Sequence, residues 1–427
     1  MNSQPDTAKP AEAGSSRRWE QPASAGLAYQ TLDSSSAASR FALVNGRIAL
    51  PDAIVAGQAV VIEHGIVLGI ANPADVGSET EQLDVGGRLI TPGLIDIHIH
   101  GALGHTFNEP DAAAWEIILR ENARRGVTSL VATFAPEPIP SLTRCFDFCR
   151  RWMAEPRPGT RMLGAHLESP YVSPAQKGAL DPTAIRSPGD GSVEPLLAYA
   201  DILRIFVLAP ELPGALALIE RLAKRGILPA AGHTSATDQQ VAEAMRIGLR
   251  HVTHIWSAMS STVRRGPWRK PGVLEAALVF DGLTVEMIAD NRHLPDTLMK
   301  LAYKCIGPDR LCAVSDATNG AGLPDGTRYR MGNMEYVVGD GVGMMLDNTA
   351  FAGSTTLLNQ MIPILRDVVG VPLVEAIRMA TLTPARAISE DASIGSLAPD
   401  KLADLAIFED DFSAWRVMIG GQWTIGK

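Results

Sequence analysis

Nine histidines occur in this 427-residue chain, and six of them (His98, His100, His166, His233, His254 and His293) stand at or beside the ends of short apolar runs. Glu168, Asp290 and Asp316 occupy the same kind of place. A single H-x-H is a weak signal, but in an extended strand residues i and i+2 point the same way, so His98 and His100 of LIDIHIH can share one ligand. With Glu168, His233 and His254 they offer imidazole and carboxylate donors, a mixture that suits zinc or iron rather than calcium or magnesium. Zinc is the first expectation and iron the alternative, as one or two divalent ions. Such an ion lowers the pKa of its water and generates hydroxide near neutral pH. Asp316 then fits a general base that takes a proton from the attacking water and passes it to a leaving nitrogen. The alternative for Asp316 is a helix N-cap, since Asp before a helix accepts backbone N–H bonds. His64 and His251 read as ordinary surface or core histidines. Gly-x-Ser-x-Gly is missing, so a serine nucleophile on an elbow is unsupported.

The elements that must position these groups follow from periodicity. LIDIHIH, TSLVATF, MLGAHLE, LRIFVLAPE, ILPAAGHT, HVTHIW, TVEMIAD and LCAVSDA read as buried strands. Helical spacing fills the intervals, as in DAAAWEIILRENARRG, PGALALIERLAKRG and SATDQQVAEAMRIG, which close with Gly126, Gly226 and Gly248. Eight such repeats predict an α/β chain forming a (β/α)8 TIM-like barrel over residues 92–385, whose C-terminal strand ends open on one face and gather the polar residues. An open doubly wound sheet is the alternative, but the place of its Gly-rich phosphate loop holds HIHG. Residues 41–91 are short β-branched runs punctuated by Asn-Gly, His-Gly and Gly-Gly, which read as hairpins. With the strand-rich end, 386–427, they predict one small β-sandwich domain built from both chain ends. Residues 327–352 read as a further hairpin at the barrel mouth, and VPLVEAIRMATLTPARAI as a helix pair broken at Pro384.

A formal net charge of −9 without a long basic stripe argues against nucleic acid and anionic membranes as partners. The cysteines Cys145, Cys149, Cys305 and Cys312 form no C-x-x-C pair and read as free thiols of a reducing cytoplasm. No apolar run reaches the roughly 20 residues that span a bilayer. Residues 1–40 are rich in Ala, Ser and Pro and read as a flexible tail; Arg17-Arg18 is followed by Glu20, not by the apolar stretch of an export signal.

LITPGLIDIHIHG, HLESP with a following KG, AGHTSAT, VTHIWSAM, IAD-x-x-H, VSDAT and FAGST occur in this order, and from about residue 41 to the end the chain resembles N-acetylglucosamine-6-phosphate deacetylases of the amidohydrolase superfamily. The resemblance implies that Glu168, His233 and His254 bind the principal metal and that His98 and His100 match a second metal position of some members. It implies Asp316 as acid/base, His293 as a sugar contact and Arg265 as a phosphate contact, with Ser257 and Ala258 at the substrate. It also implies an N-acylated sugar phosphate as substrate and a homodimer. Many other branches bridge two metals with a carboxylated lysine on strand four, and LRIFVLAPE has none.

Three departures concern substrate contacts. The family's K-G-x-H reads Lys177-Gly178-Ala179-Leu180, so a histidine that polarises the scissile carbonyl in relatives is a leucine. Asn-Ala-Met reads Ser257-Ala258-Met259 at a phosphate contact, and Asp-Gly-x-His reads Asp290-Asn291-Arg292-His293, adding bulk and charge near the substrate. Arg264, Arg265, Arg269 and Lys270 form a basic loop suited to bidentate phosphate binding, or else a solvated charged loop. The leading expectation is deacetylation of an amino-sugar 6-phosphate. The alternatives are an amidohydrolase for a different N-acyl compound, or a sugar-binding barrel that has lost catalysis.

Overall fold

A computed structural model describes residues 40–168 and 170–425. The eight expected strands form one parallel sheet: Leu94–Ile99, Val127–Phe134, Arg161–Leu167, Leu203–Leu208, Leu228–Ala231, His251–Val252, Thr284–Ile288 and Leu311–Val314. Each pairs with its neighbours in chain order. The first and last meet just past their ends, where the Asp316 N–H donates to the His98 carbonyl at 2.8 Å and the His100 N–H to the Ala317 carbonyl at 2.8 Å. The sheet therefore curls into a nearly closed barrel with helices outside it, and an open sheet is excluded. The expected helices run Ala112–Arg124, Ala215–Ala223 and Asp238–Arg246. Each stops two or three residues before its predicted glycine.

Strands from both chain ends share a six-stranded sheet, in the order Gln422–Ile425, Ala414–Ile419, Leu405–Phe408, Leu89–Pro92, Arg47–Ala49 and Ile54–Ala56. A four-stranded sheet (Ile66–Ala71, Ala59–Glu63, Arg40–Val44, Glu81–Asp84) faces it. Leu43, Val60 and Ile62 of one pack with Ile48, Ile90 and Ile407 of the other in a single buried cluster. The expected hairpins are corrected in part. His64-Gly65 does turn an antiparallel pair, 59–63 with 66–71. At Asn45-Gly46 and Gly86-Gly87, however, the chain leaves the four-stranded sheet for the six-stranded one. Both passages run side by side, so 40–44 pairs in parallel with 81–84 and 47–49 with 89–92. Positive φ at Asn45, Gly86 and Gly87 permits a sharp turn, but burial of apolar faces on a common core decides where it leads.

Residues 328–354 form a four-stranded meander rather than one hairpin: Arg328–Met331, Met334–Gly339, Val342–Met345 and Phe351–Ser354. It stands over the barrel mouth, where Tyr336 donates to the Ala179 carbonyl at 2.8 Å. The later helix pair, Leu373–Met379 and Leu382–Ala387, breaks at Ala380-Thr381 and not at Pro384. Pro384 sits in the first turn of the second helix, where a missing N–H costs nothing. The tail expectation for residues 1–40 lies, Arg40 excepted, outside the described residues. Among the described residues no helix is long and apolar enough to cross a membrane.

Candidate metal centre and active site

The C-terminal strand ends converge as expected. Glu168 Oε1 lies 3.0 Å from His233 Nε2 and 3.1 Å from His254 Nε2, and those two nitrogens are 3.2 Å apart. Glu168 Oε2 lies 3.3 Å from His100 Nε2, and His98 Nε2 is 3.7 Å from Oε1. Glu168 thus straddles two groups of donors, one with His233 and His254 and one with His98 and His100. Asp316 Oδ1 is 3.4 Å from both His98 Nε2 and His100 Nε2. All six side chains are buried.

Hydrogen-bond roles test whether a cation suits this arrangement. His233 Nδ1 faces the Gln176 carbonyl at 2.9 Å and must donate to it. The Nε2 of a neutral His233 is then a lone pair aimed at a carboxylate oxygen and at a second ring nitrogen. Lone pairs that close repel unless a proton or a cation lies between them. His98 Nε2, His100 Nδ1 and His254 Nδ1 are buried without hydrogen-bond partners. The electrostatics agree. Burial disfavours charge on His98, yet Glu286, Asp316 and Glu168 push its pKa up to about 10. Burial likewise acts against ionised Glu168, but the imidazoles of His100, His233 and His254 crowded around it hold it well below the usual carboxylate range. The cluster calls for positive charge, and its nitrogen and oxygen donors fit a divalent metal.

Two of these residues are held in strained backbone: His233 and Asp316 both have φ of 47°. Left-handed non-glycine residues concentrate where surrounding structure enforces them, often at functional sites. Asp316 is clamped by its N–H bond to His98 and by the Ser354 N–H, which donates to its carbonyl at 2.9 Å. Gly353 of FAGST makes that approach possible. A Cβ there would meet the Asp316 carbonyl oxygen at 2.5 Å and Thr318 Cγ2 at 2.7 Å, and its φ is +74°. No helix begins at Asp316, which removes the N-cap alternative. Despite burial, His98 and His100 lower its pKa below the ordinary value, as a proton acceptor requires.

A cavity of about 220 Å3 opens over the cluster. His100, Glu168, His233, His254, Asp316, His293, Ser257 and Ala258 line it, together with Leu180. His293 donates from Nδ1 to Asp290 Oδ2 at 2.7 Å, leaving Nε2 for the cavity. Arg265 is not brought there. It lies on an exposed hairpin, Val263–Arg265 with Trp268–Lys270, that also carries Arg264 and Arg269. Arg292 is a correction, because it adds no charge to the cavity. Its guanidinium turns to Asp340 of the meander, at 2.9 Å to Oδ1. Glu286, an acid inside an apolar strand, is a further polar residue of the site that its own strand does not mark. Glu137 and Tyr336 also stand in the cavity wall, and no local pattern marks them.

The fold and this site define a hydrolytic barrel that works from the C-terminal ends of its strands. The model of the amidohydrolase family matches residues 89–424, and the chain belongs to that family. It is 31% identical over 362 residues to N-acetylgalactosamine-6-phosphate deacetylase of Escherichia coli O157:H7, covering 84% of this chain and 93% of the relative. It is 30% identical over 382 residues to N-acetylglucosamine-6-phosphate deacetylase of Vibrio furnissii, covering 89% and 92%. A mutant N-acetyl-D-glucosamine-6-phosphate deacetylase of Mycobacterium smegmatis, solved in complex with N-acetyl-D-glucosamine-6-phosphate, superposes with a TM-score of 0.84 at 28% identity, over 91% of this chain and all of that one. The chain is therefore an amidohydrolase of the N-acetylglucosamine-6-phosphate deacetylase type.

Proposed function

We propose that this protein removes the acetyl group from an N-acetylated amino-sugar 6-phosphate, with N-acetylglucosamine-6-phosphate as the first candidate substrate. The observation that carries the reading is the convergence of Glu168, His233 and His254 within 3.2 Å, with Asp316 beside them and a cavity above. Relatives with this activity align along most of the chain. Glu168, His233 and His254 would hold the principal ion, and His98 with His100 would hold a second. Zinc suits these donors best, with iron the alternative. A bound divalent ion supplies Lewis-acid chemistry, lowering the pKa of water and polarising a carbonyl. Asp316, ionised and clamped at the mouth, accepts the proton of the attacking water at Oδ1 and returns it to the leaving nitrogen, so that amine and acetate are released. His293 presents Nε2 to a sugar hydroxyl or phosphate. Ser257 and Ala258 contact the same end of the substrate, and Arg265, which matches the family's phosphate contact, would have to reach the phosphate from its hairpin outside the cavity lining. A small β domain from residues 41–91 and 386–427, a barrel over 92–385, a homodimer and a cytoplasmic location belong to the same reading.

One observation favours a second reading, a different N-acyl substrate without phosphate. Among the described residues lining the cavity there is no Lys or Arg, whereas Glu137 and Asp181 are present and Leu180 offers no hydrogen-bond donor. Acetate release from purified, metal-analysed protein separates the two. N-acetylglucosamine-6-phosphate, its galactosamine epimer and both unphosphorylated sugars are offered side by side. Release from only the phosphorylated sugars supports the leading reading. Release from none, with a stoichiometric metal present, rejects it.

A further inference from the structure

We infer that Glu286, deep in the barrel, is a positioning residue that sets the tautomer and direction of His98 toward the metal position; the inference rests on the metal reading above. Glu286 belongs to the seventh barrel strand and is fully buried. Its Oε2 lies 2.8 Å from His98 Nδ1 and accepts the backbone N–H of His254 at 3.2 Å. Its Oε1 lies 3.0 Å from His251 Nε2. One carboxylate therefore grips the ring of one candidate ligand, the backbone of another and a third imidazole.

Counting protons along this chain assigns their places. The Thr284 hydroxyl donates to the Arg250 carbonyl at 3.2 Å, so its oxygen must accept from His251 Nδ1 at 2.7 Å. His251 Nδ1 thus carries hydrogen, and a further proton must lie between His251 Nε2 and Glu286 Oε1. Glu286 holds at most one proton, and that one lies in the Oε1 contact with His251, so Oε2 only accepts and His98 Nδ1 meets it as a donor. To ligate a metal the ring of His98 must be neutral, and with hydrogen on Nδ1 its lone pair then falls on Nε2, the atom facing Glu168 and Asp316 and lacking a hydrogen-bond partner. His166 closes the layer. Its Nδ1 donates to the Ile97 carbonyl at 3.0 Å, and its ring centroid stands 4.5 Å from that of His98 in an edge-on contact. A histidine held by a carboxylate on its second nitrogen is a stiffer and more basic ligand, and loss of such a partner commonly costs 10–100-fold in metal affinity.

The test is zinc affinity, which does not depend on the sugar. Apoprotein is titrated with zinc against a chromophoric chelator for wild type and Glu286→Gln, with the thermal melting of both apoproteins measured alongside. Weakening by about tenfold or more in a variant that melts like wild type supports the inference. Equal affinities overturn it. A wild type that takes up no zinc overturns the metal reading itself, and the inference with it. If Glu286→Gln does not fold, ring-15N NMR of zinc-loaded wild type decides. Hydrogen on His98 Nδ1 and none on Nε2 is the expected signature, and the opposite tautomer refutes the assignment.

Discussion

Asp316 and His98 are joined twice across the seam of the barrel. The Asp316 backbone N–H donates to the His98 carbonyl at 2.8 Å, and Asp316 Oδ1 lies 3.4 Å from His98 Nε2. The bond that closes the first strand on the eighth thereby aims the candidate base at a candidate metal ligand. Asp316→Asn keeps the backbone bond and the side-chain shape but removes the proton acceptor. It is expected to fold, retain its metal and lose turnover by about a hundredfold or more, read from kcat beside metal analysis. Near-normal turnover would remove Asp316 from the mechanism.

Chelation should abolish turnover while leaving the barrel folded, and zinc should restore it. His254→Ala removes a nitrogen 3.1 Å from Glu168 Oε1 and is expected to need far more zinc for the same recovery. Full activity in metal-free protein, verified by elemental analysis, would rule out the hydrolytic route proposed here.

Arg265, proposed to contact the phosphate, lies on an exposed hairpin outside the cavity lining. On the leading reading Arg265→Ala raises KM for N-acetylglucosamine-6-phosphate about tenfold with little change in kcat, the pattern of lost uniform binding. An unchanged KM for the best substrate would favour an unphosphorylated one.

Leu180 lines the cavity where a donor to the scissile carbonyl is expected by resemblance. Leu180→His should raise kcat on acetylated sugar phosphates if the acyl group sits there. A fall in kcat on the best substrate would mean that the leucine itself contacts an apolar acyl chain.

Gly353→Ala places a Cβ 2.5 Å from the Asp316 carbonyl at a φ of +74°. It should destabilise the fold by about 1–3 kcal/mol and lower turnover, measured by denaturant midpoint and kcat. A neutral substitution would show that the FAGST turn is looser than its geometry implies.

Much of this was legible in the chain because it depends on local rules. Apolar runs alternating with helical spacing specify eight parallel strands, and parallel strands place His98, His100, Glu168, His233, His254 and Asp316 at one mouth whatever their sequence separation. Relations between distant residues were not legible. Asn45-Gly46 announces a turn, but only burial on a shared core sends the chain into the opposite sheet. Arg292 looks like charge for the cavity until the meander supplies Asp340. Glu286 carries no local mark of a role within its apolar strand until the closed barrel brings His98 and His251 to its two oxygens. Period and turn chemistry are written in neighbouring residues. The partner of a buried charge is chosen by the tertiary packing, because the cost of leaving it unpaired is met only where distant strands converge.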